Sequence, residues 1–146
     1  MRSIEILIVI SILAMLTAVG WETLSSYNAQ QAVHAGVEQM VTALLKARAA
    51  TLAGAQGLSY GVHIDATSTT VFVGPLYSAQ AVTNQRFAMP LGVIAVPSLR
   101  GGVSDLLFGR VTGEALNYGT VGVQIAGFTA ASRTVTVEQT GVVWEK

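Results

Sequence analysis

The chain has 146 residues, 51% of them hydrophobic and only 11% charged, and its eight Lys and Arg balance its eight Asp and Glu. A soluble domain usually carries about 25% charge, so part of this chain is meant to be hidden from water, and a net charge of zero excludes a general pull toward nucleic acid or anionic lipid. With no cysteine it has no disulfide framework, thiol nucleophile or thiolate metal site, and its stability must come from packing or assembly.

The first element is apolar. Residues 1–21 carry charge only at Arg2 and Glu5, and from Ile6 to Trp21 there is none, about 24 Å of helix at 1.5 Å per residue. Counted from Met1, the segment roughly matches the thickness of a bilayer core. A cleaved secretory signal would use a basic start and small residues before the cut, and Ala18 and Gly20 are small, but Glu5 cancels the charge of Arg2. An ordinary transmembrane anchor gives no reason for a carboxylate just ahead of the apolar run, where it is costly unless paired.

The run Ile4-Glu5-Ile6-Leu7-Ile8-Val9-Ile10, followed by Ile12-Leu13-Ala14, resembles the amino-terminal signature of type IV pilins and of the pseudopilins of type II secretion systems. In that family a prepilin peptidase cuts after a glycine, the new first residue is N-methylated, and the fifth mature residue is glutamate. The resemblance implies that Met1 is the methylated mature amino terminus and that a short leader ahead of it has been removed. Met1, Arg2 and Ser3 stand where the family commonly has Phe, Thr and Leu. It further implies that Glu5 pairs with the amino group of Met1 on a neighbouring subunit, while Ile6, Leu7, Val9, Ile10, Leu13 and Leu16 pack in a filament core. The physics agrees, because an unpaired buried carboxylate costs several kcal/mol. The bland alternative is a carboxylate modestly stabilised near a helix N-terminus.

Beyond Trp21 a helical pattern continues, with Val33, Val37, Met40, Val41, Leu44, Leu45 and Leu52 recurring at steps of three and four. It predicts one helix from the start to about residue 53, roughly 80 Å long, ended by Gly54 and Gly57. A domain of about 100 residues cannot contain that length, so residues 1–28 are expected to project and 29–146 to form a globular part. Gly20 ends the apolar run, and an interior Gly costs a helix about 1 kcal/mol relative to Ala. Local melting and close helix packing are both open readings of Gly20. Many pilins have a proline near position 22, where this chain has Glu22, and Tyr27 falls where pilins commonly have a tyrosine.

From Leu58 the period changes to two. Expected strands are 58–64, 70–73, 86–96 with a kink or edge at Pro90, 103–108, 121–126, 133–139 and 142–144, with Thr140-Gly141 turning the last hairpin. The fold class is α+β, a long helix with its second half packed on an antiparallel β domain. A second resemblance enters here. Lys46-Ala47-Arg48-Ala49-Ala50-Thr51, Leu107-Phe108-Gly109, Thr112-Gly113, Ser132-Arg133-Thr134-Val135-Thr136-Val137 and Thr140-Gly141-Val142-Val143 are similar to the helix end and carboxy-terminal pattern of H-type minor pseudopilins and their fimbrial relatives. It implies a long helix packed on antiparallel strands, with a division into two small sheets left open.

Little else in the sequence carries chemistry. His34 and His63 read as structural or surface residues, Asp65 and Asp105 as isolated acids, and Asp65-Ala66-Thr67-Ser68-Thr69-Thr70 as a solvated turn. No cofactor and no metal is implied. From Gly54 onward, Arg86, Arg100, Arg110, Arg133 and Lys146 balance Asp65, Asp105, Glu114, Glu138 and Glu145, which gives no basic stripe for phosphate contacts. The 75–85 loop with an exposed Tyr77, together with Arg86, is a candidate contact or receptor surface.

The reading that accounts for Glu5 is a structural, non-enzymatic subunit of an extracellular type IV pilus-like filament, membrane-inserted before assembly and handled by prepilin peptidase and an assembly machinery. A minor pseudopilin priming a secretion pseudopilus is the alternative, and a DNA-capturing pilin a lesser one. A membrane-anchored binding module or enzyme leaves Glu5 unexplained.

Overall fold

A computed structural model describes residues 2–146, excepting the side chains at positions 2, 18–24, 56 and 128–130. One helix, α1 (Arg2–Leu52), takes 51 residues, about 76 Å at 1.5 Å per residue. Its second half buries Val33, Val37, Met40, Leu44, Ala47 and Thr51, each at most 2% exposed. Their steps of four and three residues define one face of a 3.6-residue helix. The expected stripe is corrected at two places: Leu45 and Leu52 are about half exposed, and the small Ala43, Ala47 and Thr51 are buried instead. Small residues sit there because the helix comes close to its sheets. At Gly36 an added Cβ would lie 3.1 Å from Val93 Cγ1 and 3.4 Å from Val123 Cγ1.

The helix stops as expected. Gly54 adopts a left-handed φ of 62°, which glycine reaches without steric cost. The buried Thr51 hydroxyl donates to the Ala47 carbonyl at 2.9 Å and accepts the Tyr60 backbone N–H at 3.0 Å, tying the last helical turn to the first strand.

Eight strands follow: β1 (Tyr60–Asp65), β2 (Ser68–Val73), β3 (Gln85–Ala88), β4 (Val93–Leu99), β5 (Asp105–Leu107), β6 (Gly119–Ile125), β7 (Phe128–Val137) and β8 (Val143–Glu145). They form two four-stranded sheets, ordered β3-β2-β1-β5 and β4-β6-β7-β8, with every pairing antiparallel. Both sheets contact α1. The core is the helix stripe with Val62, Ile64 and Leu106 of the first sheet and Val93, Ala95, Val121, Val123, Val135 and Val137 of the second. The α+β expectation of a long helix on antiparallel strands is what the chain adopts.

The expected 86–96 strand is two strands in different sheets. Met89, Pro90, Leu91 and Gly92 lie between them, with Gly92 at φ 81°. A proline does occur within β4, at Pro97, and β4 is an edge strand, where a missing N–H is tolerated. The last hairpin turns at Thr140-Gly141 as read, with the Gly141 N–H donating to the Glu138 carbonyl at 2.9 Å, whereas β7 starts five positions before Arg133. The 65–70 segment is not a solvated turn. Only Ala66 and Thr67 turn, and their carbonyls accept the N–H groups of Ala95 and Met89 at 2.9 Å, while Ser68, Thr69 and Thr70 are buried in β2.

Candidate functional site

The first half of α1 has the composition of a core and the exposure of a surface. Ile4, Ile6, Leu7, Ile8, Val9, Ile10, Ile12, Leu13, Met15 and Leu16 are all between 51% and 75% exposed. Covering apolar surface is worth about 25 cal/mol per Å², so occluding ten such side chains amounts to on the order of 10 kcal/mol or more. That outweighs the several kcal/mol of burying one carboxylate. All the apolar side chains expected to drive assembly (Ile6, Leu7, Val9, Ile10, Leu13 and Leu16) lie here. Ile4, Ile8, Ile12 and Met15 are equally exposed and complete the circumference, which the spacing of a one-sided stripe does not reveal.

The polar groups in this segment differ in their satisfaction. Ser11 Oγ donates to the Leu7 carbonyl at 2.8 Å and Thr17 Oγ1 to that of Leu13 at 3.0 Å, so both hydroxyls are internally spent, as helices in apolar surroundings require. Glu5 is exposed and has no ion pair among the described residues. Met1, its expected partner from a neighbour, lies outside the described residues. At Gly20 the backbone of α1 is continuous helix. Among the described residues, no helix is long and apolar enough to cross a membrane.

Tyr27 is exposed, and its hydroxyl accepts from Gln31 Nε2 at 3.0 Å. The histidines each have an acid beside them. His34 Nε2 lies 3.5 Å from Glu38 one turn on, and His63 Nδ1 lies 2.5 Å from Asp105 Oδ1. Asp105 is therefore not isolated: the β1–β5 pairing sets His63 directly opposite it. Tyr77 is not fully exposed either, because its ring stacks on His63 with centroids 3.9 Å apart. Among the described residues no group of three or more His, Asp or Glu is gathered as metal ligands would be. The arginines lie in different surroundings. Arg133 pairs with Glu145 at 2.8 Å, Arg100 reaches the Tyr118 hydroxyl at 3.3 Å, and Arg110 comes near Gly57.

No protein-family model matches the chain, and no curated protein sequence does. Among solved structures, it is similar to the type IV minor pilin FimU of Pseudomonas aeruginosa strain PAO1 in two crystal forms. One superposes with a TM-score of 0.54 at 17% identity over 77% of this chain and 90% of FimU. The other gives 0.57 at 17% identity over 84% of this chain and 90% of FimU. A long helix whose buried second half backs two small antiparallel sheets, and whose first half stands bare, is on this likeness a type IV pilin-like fold.

Proposed function

We propose that the chain is a structural subunit of a type IV pilus-like surface filament, polymerising through residues 1–17 with Glu5 paired to the amino group of Met1 on the next subunit. The observation that carries this reading is the all-round exposure of the apolar residues 4–16 of α1, interrupted by one carboxylate, Glu5, that has no ion pair among the described residues. An apolar sheath supplies the driving force and the Glu5 carboxylate supplies register, since any axial offset that leaves it buried and unpaired costs several kcal/mol. The uncharged run continues to Trp21 in the sequence, and residence in a membrane before assembly, cleavage of a leader and methylation of Met1 belong to the same proposal. Gly20 is the position at which the helix would either melt or pack closely on a neighbour in assembly. The subunit does its work by packing and is not an enzyme.

The likeness to a minor pilin supports a second version, in which the chain primes a filament built mainly of another subunit, whether pilus or secretion pseudopilus. The two versions differ in stoichiometry, measured as copies of this chain per length of sheared filament.

The test is Glu5→Ala in cells carrying the chain and its assembly machinery. The expected outcome is membrane-associated subunit in normal amount with sheared filaments reduced at least tenfold. Unchanged filament yield overturns the pairing, and loss of the subunit from the membrane fraction as well overturns the separation of anchoring from register.

A further inference from the structure

The outer face of the first sheet carries a recess for which assembly through α1 has no use. Across its four strands runs a continuous row: Arg86 of β3 stands opposite Thr70 of β2, Thr70 opposite His63 of β1, and His63 opposite Asp105 of β5. Beside that row Ser68 faces Asp65. Side chains alternate across a strand, so these residues lie on the face away from Val62, Ile64, Val71 and Leu106, which are in the core with α1. A polar outer face is ordinarily wet. Here Ser68 and Thr70 are only 2% and 5% exposed, because the 74–84 loop returns over the sheet.

The loop is held at defined points. Tyr77 lies flat on His63 and edge-on to Phe72, at 3.9 and 5.5 Å between centroids, and His63 is itself fixed by Asp105. At the far end Asn84 Nδ2 donates to the Ser78 carbonyl at 2.7 Å. A carbonyl only accepts, so this bond fixes which way the amide faces. Asn84 Oδ1 is then buried with no partner among the described residues. Between loop and sheet remains a cavity of about 240 Å³ walled by Asp65, Ser68, Thr70, Tyr77, Asn84 and Arg86 together with His63.

The chemistry of that wall narrows its occupant. Asp65 and the Asn84 carbonyl accept, Arg86 donates and has no ion pair among the described residues, and the hydroxyls of Ser68, Thr70 and Tyr77 do either. An anion suits Arg86 but meets Asp65, a cation suits Asp65 but meets Arg86, and an apolar ligand offers no partner to Arg86 or to the Asn84 carbonyl. A neutral ring bearing several hydroxyls supplies donors and acceptors together. The volume falls below the roughly 300 Å³ at which sites for drug-sized ligands begin, which limits the occupant to one ring. We propose that this recess binds a single neutral monosaccharide unit, with Arg86, Thr70 and Asp65 as its polar contacts and the His63–Asp105 pair positioning Tyr77 as its wall.

The experiment is an NMR titration of the full chain in a detergent free of sugar, following the His63 and Tyr77 ring signals. The probes are glucose, galactose and N-acetylglucosamine, with inorganic phosphate at matched ionic strength as the anion arm. The expected result is a saturable shift with at least one sugar, none with phosphate, and at least tenfold weaker sugar binding in both Arg86→Ala and Thr70→Val. Arg86 is exposed on an edge strand, so its variant keeps the fold, checked by an unchanged unfolding temperature. No saturable shift with any of the sugars, an equal shift with phosphate, or undiminished sugar binding in Arg86→Ala would each overturn the proposal. None of these results depends on whether the chain polymerises.

Discussion

The two halves of α1 use much the same residues for opposite purposes. From Val33 to Thr51 the helix has one stripe, Val33, Val37, Met40, Leu44, Ala47 and Thr51, that is buried to within 2%. From Ile4 to Leu16 the apolar positions surround the helix, and every large one is more than half exposed. A one-sided stripe calls for a single partner on one side, which here is a pair of sheets in the same chain. An apolar surface on all sides calls for partners all round, and among the described residues none covers it. Exposure of hydrophobic residues thus marks a surface that calls for a partner only when read with its angular distribution, since isolated exposed apolar side chains such as Val82 and Leu91 are ordinary.

The largest test of that contrast is a matched pair of truncations. Leu44→Ala removes a side chain that is 0% exposed and is expected to cost the isolated subunit about 2–5 kcal/mol in chemical unfolding. Leu13→Ala, at 56% exposure, is expected to stay within about 0.5 kcal/mol and to lower filament yield instead. Equal destabilisation by the two would break the comparison. A smaller effect sharpens the boundary of the buried half. Thr51→Val keeps the shape but leaves the Tyr60 N–H without its acceptor, at an expected cost of about 1–3 kcal/mol, read from the same unfolding curves and from faster amide exchange at Tyr60. Smallest is Arg133→Ala, which deletes an ion pair whose side chains are 45% and 37% exposed. A shift beyond about 1 kcal/mol there would mean the pair is more shielded than its exposure indicates.

How much of this was legible in the sequence depended on whether a feature is local. Glu5 and the apolar run are adjacent residues, and Gly54 announces the helix end by its own backbone preference, so the helix and its apolar first segment are readable. Leu45 and Leu52 were misplaced because apolarity alone does not say which of two neighbouring faces the sheets approach, and the small Ala43 and Ala47 mark that approach. The 86–96 run read as one strand because Phe87 of β3 and Val93 and Ala95 of β4 all pack on the same core from different sheets. His63 and Asp105 stand 42 residues apart, joined only by the pairing of β1 with β5. No signal in either segment specifies that pairing. The 65–70 segment looked like a loop because its hydroxyls are polar, yet sheet geometry and the covering 74–84 loop bury them.

Arg48 sets an order on folding. Its guanidinium donates to the Gly113 carbonyl at 3.3 Å and to the Thr140 carbonyl at 3.2 Å, bridging separations of 65 and 92 residues. A Cβ at Gly141 would collide with the Gly113 carbonyl oxygen, so these two loops nest against each other on the helix end. A helix forms locally within about a microsecond, but contacts across such separations wait on loop closure and slow the whole transition. The Arg48 clasp thus closes only after the β7–β8 hairpin has found its sheet, and a chain interrupted before Thr140 would leave the helix end tied to β1 through Thr51, with that clasp undone.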